Sequence, residues 1–314
     1  MPRAGTIVRR RPPCRVRCCI AVGLALLGLS GAASPAQAET APDWCQRLSN
    51  RLHSVSLASC LNSGLLPTGV KSHKGFPILA RDIAPANSKN ASKAAPPLRI
   101  LLIGGIHGDE LTSVSIVFRW LQWAQMPPAQ MFRWKIVPVV NPDGLLATKP
   151  SRVNAHGVDL NRNFPTPNWQ AEAPRYWAQT TRSDPRRFPG TAPLSEPESR
   201  WVQKEIERFR PQLIVSVHAP FGVLDFDGAE KPPQRFGHLI YNRVGIYPGS
   251  LGNYGGLHKN IPVITIELPN ARAMPPDAEV QRIWQDMLDW IQRNLPAQAP
   301  PLEASTAASR KLAQ

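Results

Sequence analysis

The chain has 314 residues, enough for one large domain or two small ones, and its 42% hydrophobic content suits a protein with a real core. It carries 37 Lys and Arg against 22 Asp and Glu, a net charge of +15. The basic residues are spread along the chain without Lys/Arg blocks interleaved with aromatics, which argues against a nucleic-acid partner.

The first 38 residues read as a secretory signal peptide. Arg3, Arg9, Arg10, Arg11, Arg15 and Arg17 form a basic start, and Cys19 to Ala32 is an uncharged apolar run of 14 residues. Ala36-Gln37-Ala38 then gives a small-x-small cleavage pattern. The run is shorter than the ~20 residues of a membrane span, so no stable membrane insertion is expected after cleavage. With six arginines removed, 31 basic residues against 22 acidic ones leave +9. Cys45 and Cys60 then remain as an even pair in an oxidising compartment and are expected to form a disulfide. The location implied is secreted and periplasmic. Residues 39–63 read as a disulfide-stapled extension carrying a short helix, either a prosegment or a structural addition. Residues 64–297 form the catalytic domain, and 298–314 a Pro, Ala and Ser-rich disordered tail.

Phe76 to Ile83 reads as a first strand, and Ala84 to Pro97 as a loop. Leu98 to Ile106, Lys135 to Val140, Leu213 to Val217 and Pro262 to Leu268 are short apolar runs expected to be buried strands. Leu111 to Gln125, Glu196 to Phe209 and Val280 to Asn294 carry helical patterns. Ser195 and Glu198 have capping-box spacing for the second of these. This alternation predicts an α/β fold: a single domain with a mixed, mostly parallel sheet and helices on both faces.

Sites in such sheets gather beyond the carboxyl ends of the strands. His107 and Glu110 follow one strand, His218 ends another (LIVSVH), and Glu267 ends a third (VITIEL). Two imidazoles and one carboxylate are the ligand set of a catalytic zinc with a fourth position left for water. Glu267 is then the natural general base, since an acid ending an apolar strand is otherwise costly. His-x-x-Glu alone is weak evidence for metal.

Further segments strengthen it. Asn141 to Gly144 reads NPDG, Ser151 to Pro165 reads SRVNAHGVDLNRNFP, Ser195 to Glu198 reads SEPE, and Pro248 to Ser250 reads PGS. With HGDE, SVH and TIEL in this order, the chain resembles the M14-type zinc carboxypeptidases, and within them the murein peptide amidase branch. The resemblance spans roughly residues 70 to 295. It implies one Zn2+ per chain held by His107, Glu110 and His218, with Asp159 hydrogen-bonded to a ligand histidine. It implies Arg152 as the oxyanion partner, Asn161 and Arg162 as the grip on a terminal carboxylate, and Glu267 as the base. Tyr247 is the candidate for a substrate-covering tyrosine, with Tyr254 as the alternative.

Other polar residues draw simpler readings. Asp143 reads as a turn residue, and His156 as a solvent-facing residue of its own turn. His53, His73, His238 and His258 lack ligand spacing and read as surface or loop histidines. Ala219 stands where the amidase branch leads one to expect an acid. Asp225 and Asp227 follow in VLDFDG, either as readers of a basic side chain or as an ordinary acidic loop. The expected activity is hydrolysis of an amide bond beside a free carboxylate. The favoured substrate is a murein stem peptide cut between γ-D-glutamate and meso-diaminopimelate. The alternatives are a general exported carboxypeptidase, a deacylase of small acyl-amino acids and a non-catalytic zinc-bearing binding module. The last expects a lost base or oxyanion arginine, whereas Glu267 and Arg152 are both present. Oligomeric state is not readable.

Overall fold

The computed structural model describes residues 41–86 and 96–295. The signal peptide and the C-terminal tail expected from the sequence lie outside these residues. Helices α1 (Ala41–Arg51) and α2 (Leu57–Leu61) precede strands β1 (Leu66–Lys71) and β2 (Pro77–Ile83). Strand β3 (Arg99–Ile103), helix α3 (Leu111–Trp123), strand β4 (Arg133–Val137) and the single turn α4 (Pro142–Leu145) follow. Next come α5 (Trp169–Gln179), α6 (Pro197–Phe209), β5 (Leu213–His218) and β6 (Val223–Asp227). The short β7 (Arg235–Phe236) and β8 (Leu239–Tyr241), then β9 (Val263–Glu267) and α7 (Asp277–Asn294), complete the order.

The nine strands form one sheet in the order β1-β2-β4-β3-β5-β9-β6-β8-β7. Its centre, β4-β3-β5-β9, is parallel, while β2 joins β4, and β6 joins β9, antiparallel. The strand periodicity of two sorts side chains into two cores. Ile100 and Leu102 of β3 join one cluster with Val114, Val117 and Leu121 of α3, and with Ile283 and Met287 of α7. Leu101 and Ile103 join the other, with Val202, Ile206 and Phe209 of α6. Helices therefore cover both faces, which is why β3 reads as an unbroken apolar run.

The N-terminal segment is part of this packing. Trp44 and Leu48 of α1, and Leu52 just past its end, recur every fourth residue and are all buried. Burying each such side chain is worth ~1.5–3 kcal/mol. Trp44 lies 6.4 Å from Phe118 of α3, and Cys45 is bonded to Cys60 with their Cα atoms 5.6 Å apart. None of the described residues 41–65 lines the cleft described below. The capping-box expectation for α6 fails. Glu196, not Ser195, is the capping residue, and Pro197 opens the helix, because proline's fixed φ suits a first helical position.

Candidate metal centre and substrate cleft

The chain leaves β3 through Gly104 and Gly105 and makes a tight turn, in which the Glu110 amide donates to the His107 carbonyl at 3.4 Å. That turn answers the spacing: it brings two side chains three residues apart onto one spot. Glu110 stands at the N-terminus of α3, where the helix dipole favours a negative charge. Its carboxylate makes no cap bond to its own helix; it accepts from the Ala219 amide at 3.3 Å and faces His107 Nδ1 at 2.7 Å and His218 Nδ1 at 3.1 Å. The two Nδ1 atoms are 3.2 Å apart. Gly108 permits the turn, since a Cβ there would stand 2.2 Å from the Gly144 backbone.

The far side of each ring is also occupied. His107 Nε2 lies 3.0 Å from Asp159 Oδ1, and His218 Nε2 lies 2.9 Å from Ser216 Oγ. With Nε2–H donating outward, both Nδ1 lone pairs and the carboxylate point at one another. Three acceptors cannot satisfy each other without a shared cation. Tetrahedral ligands at zinc distances are separated by about 3.3 Å, close to what this trio shows. The donor set therefore fits a borderline dication such as zinc.

Asp159 is fully buried and binds on two sides: its other oxygen accepts from Arg152 Nε at 3.0 Å. Burial opposes its charge, but Arg152 and His107 hold the carboxyl well below the usual range. Burial likewise opposes the charge of Glu110, and the two histidines outweigh it. Arg152 Nη1 stands 3.5 Å from Glu110 Oε1, so the guanidinium borders the metal trio. Its backbone carbonyl accepts from Asn141 Nδ2 at 3.1 Å. Asn141, the first residue of NPDG, thus holds this loop; the sequence signal was an asparagine preceding a proline-led helical turn.

The sheet register supplies the rest. His218 pairs with Glu267 and Ser216 with Thr265 across β5 and β9, while Glu267 pairs with Val223 and Thr265 with Asp225 across β9 and β6. Paired residues share a face, so Ser216, His218, Thr265, Glu267, Asp225 and Asp227 form one polar surface. The acidic-loop alternative for Asp225 and Asp227 is thereby corrected, because both sit in a paired strand. At about 3.3 Å per residue, they lie roughly 7 and 13 Å along β6 from the Glu267 row. Gly252 makes room for Asp227: a Cβ there would stand 2.0 Å from Asp227 Oδ2.

An open cleft of about 410 Å³ joins the metal trio, Arg152, Thr265, Glu267, Asp225 and Asp227 with Asn161, Arg162 and Tyr247. Asn161 Oδ1 accepts from the Leu251 amide at 2.8 Å, which leaves its amide nitrogen available. Arg162 stacks its guanidinium 4.4 Å from the Tyr247 ring centre, and Tyr247 Oη donates to the Val244 carbonyl at 2.7 Å. Tyr254 is instead buried against Phe164 and does not line the cleft. Four cleft residues carry a buried polar atom without a hydrogen-bond partner: Asp109 Oδ1, Arg162 Nε, Asp227 Oδ1 and Glu267 Oε2. Such orphans are rare in native folds and point to ligand contacts. Burial pushes the Glu267 carboxyl up, with His218 pulling down and Glu110 pushing further up. Burial and the neighbouring Asp225 raise Asp227 to about 6.

His73 and His156, read as unrelated surface residues, are in fact stacked on one another beside Glu196. Asp143 is buried in its turn, where it accepts from Ser72 Oγ at 2.5 Å.

Comparison with known proteins agrees with this geometry. A family model described as zinc carboxypeptidase matches residues 67–224. Murein peptide amidase A of Escherichia coli is 33% identical over 217 residues, covering 66% of this chain and 84% of that protein. The protein of the same name from Vibrio campbellii is 35% identical over 182 residues, covering 54% of this chain and 69% of its own. Carboxypeptidase A from Helicoverpa armigera shares the fold, with a TM-score of 0.52 at 18% identity over 78% of this chain and 70% of that one. The chain belongs to the zinc carboxypeptidase family and is a peptide hydrolase of that family.

Proposed function

We propose that this chain is a zinc-dependent carboxypeptidase that releases a C-terminal residue bearing a basic side-chain group, with murein stem peptides ending in γ-D-glutamyl-meso-diaminopimelate as the favoured substrate. The observation that carries the reading is one continuous cleft. The His107–Glu110–His218 trio and Glu267 lie in it with Arg162 and with the Asp225–Asp227 pair. His107, Glu110 and His218 hold the metal. Zinc, when bound, supplies Lewis acidity toward the scissile carbonyl and lowers the pKa of an attacking water.

The chain's own groups do the rest. Arg162, with the free amide of Asn161, takes the terminal carboxylate, for which the planar guanidinium offers two parallel donors. Glu267 accepts the proton of the attacking water and returns it to the leaving amine nitrogen; its buried, uncompensated oxygen raises its basicity. Arg152 donates to the oxyanion as the carbonyl becomes tetrahedral. Asp159 fixes His107 and Arg152 at once, so ligand and oxyanion donor keep one relative orientation. Tyr247 packs on Arg162 and narrows the carboxylate end of the cleft.

The names of the amidase relatives and the paired aspartates support a diaminopimelate-type terminal residue. The signal-like start and the Cys45–Cys60 bond support an exported, periplasmic location. Among the described residues, no helix is long and apolar enough to cross a membrane. A side-by-side assay on murein tripeptide and on linear peptides with neutral C-termini tests the substrate. A preference of tenfold or more for the tripeptide is expected. Equal kcat/KM would favour a general carboxypeptidase.

A further inference from the structure

One wall of the cleft has no part in the chemistry assigned above. Asp109, between His107 and Glu110, lines it together with Arg186 and Arg187 of a short turn before Phe188. Arg186 Nη2 donates to Asp109 Oδ2 at 2.8 Å. Ion pairs at a surface contribute little to stability. Asp109, however, keeps only 24% of its side chain open, and its other oxygen, Oδ1, is buried without a partner. Burial opposes the charge of Arg152, and Asp159, Glu110 and Asp109 together favour it, so Asp109 also acts on the oxyanion donor.

The turn is built to hold its arginines. Asp184 Oδ1 accepts from the Arg186 amide at 2.9 Å, and Asp184 Oδ2 faces Arg187 Nε at 3.4 Å. Trp177 Nε1 donates to the Asp184 carbonyl at 2.8 Å, and its ring meets Phe188 edge-on with centres 4.9 Å apart. The Phe188 carbonyl accepts from the Asp159 amide at 2.8 Å. The residue that fixes His107 and Arg152 therefore anchors this turn as well. Arg186 spends one terminal nitrogen on Asp109 and leaves 58% of its side chain open, so its guanidinium keeps donors for a ligand.

An orphaned acceptor beside an exposed guanidinium suits a ligand that carries an N–H and a carboxylate on one carbon. A γ-linked glutamyl residue has that carbon a short ethylene spacer from the scissile carbonyl. In an ordinary α-linked peptide the same carboxylate is consumed in the bond that is cut. Arg162 and Asn161 take the terminal carboxylate, and Asp225 and Asp227 the side chain of the leaving residue, which leaves this wall for the acyl side. We propose that Asp109 and Arg186 form an acyl-side specificity site: Arg186 binds the free α-carboxylate of a γ-glutamyl residue, and Asp109 Oδ1 accepts from the N–H on the same carbon. This assignment rests on the murein-peptide reading above and adds to it the residues that select a γ-linked bond.

The test pairs two synthetic peptides: L-alanyl-γ-D-glutamyl-meso-diaminopimelate, and the same tripeptide with the glutamyl α-carboxylate amidated. The zinc-loaded wild type should favour the free carboxylate by about tenfold in kcat/KM, the scale of one charge-assisted contact. In Arg186→Gln that ratio should fall to about one. Asp109→Ala, which removes the acceptor, should raise KM on both peptides by about fivefold. Each ratio is taken within one protein, so a folding defect cancels from it. Equal kcat/KM of wild type on the two peptides, an undiminished ratio in Arg186→Gln, or an unchanged KM in Asp109→Ala would overturn the assignment and leave the murein reading standing. Wild type idle on both tripeptides yet active on linear peptides would instead end that reading, and the assignment with it.

Discussion

Glu267 stands beside His218 in the parallel pairing of β5 with β9, so the candidate base and a candidate metal ligand are neighbours on one face of the sheet. The backbone register fixes this relation, and no flexible loop is involved. Glu267→Gln keeps the shape and removes the basicity. We expect kcat to fall by about 10²–10⁴, with zinc content unchanged. Stopped-assay kinetics paired with metal analysis checks both halves, and near-full turnover would reassign the base.

Arg152 is held by Asp159 and borders Glu110. Arg152→Ala should lower kcat by about 10²–10³ while KM changes little, as befits a group whose contact strengthens in the transition state. A loss confined to KM would mean that Arg152 grips the ground-state substrate instead.

The role proposed for Asp225 and Asp227 carries a pH dependence. Asp227 is raised to about 6 by burial and by Asp225, so below that pH it is protonated and above it charged. Affinity for a cationic side chain should therefore rise as pH climbs through about 6. In Asp225→Asn/Asp227→Asn the rise should vanish, and the preference for basic over neutral C-terminal residues should drop at least tenfold. KM measured from pH 5 to 8 on paired substrates decides this; an unchanged preference removes the role of the two aspartates.

What the sequence disclosed and what it hid follow from the same rules. Strand β3 was legible because burial on both faces makes its residues uniformly apolar, and His107, Glu110, His218 and Glu267 stood at strand ends where chemistry gathers. Strand β6 was hidden because its alternate positions carry Asp225 and Asp227 toward the cleft, so VLDFDG imitates a polar loop. Ser216 behind His218 was readable only through strand periodicity. The meeting of His73, His156 and Glu196 was not readable, since a contact across 123 residues leaves no local pattern.

Glu198 tests the fold away from the cleft. Burial raises its carboxyl to about 7, with Asp143 and Glu196 adding to the rise. A group raised in the folded state favours folding when protonated, so its contribution is full below about 4.5 and is lost as pH climbs through 7. Glu198→Gln should match wild type near pH 4 and exceed its stability by about 3 kcal/mol at pH 8. Urea denaturation at the two pH values checks this, and a variant less stable at pH 8 would refute it.

The Cys45–Cys60 bond spans 15 residues and staples α1 to α2. Replacing both cysteines by serine should cost about 3 kcal/mol of stability and leave kcat unaltered, because this segment lies away from the cleft. Chemical denaturation and a single assay suffice, and a changed kcat would tie the segment to catalysis.

The most direct test of the account is an anomalous difference map collected at the zinc absorption edge from crystals of the zinc-loaded enzyme. The account predicts a peak bonded by His107 Nδ1, Glu110 and His218 Nδ1, with Glu267 close by. Active crystals without a peak between those three side chains would contradict it.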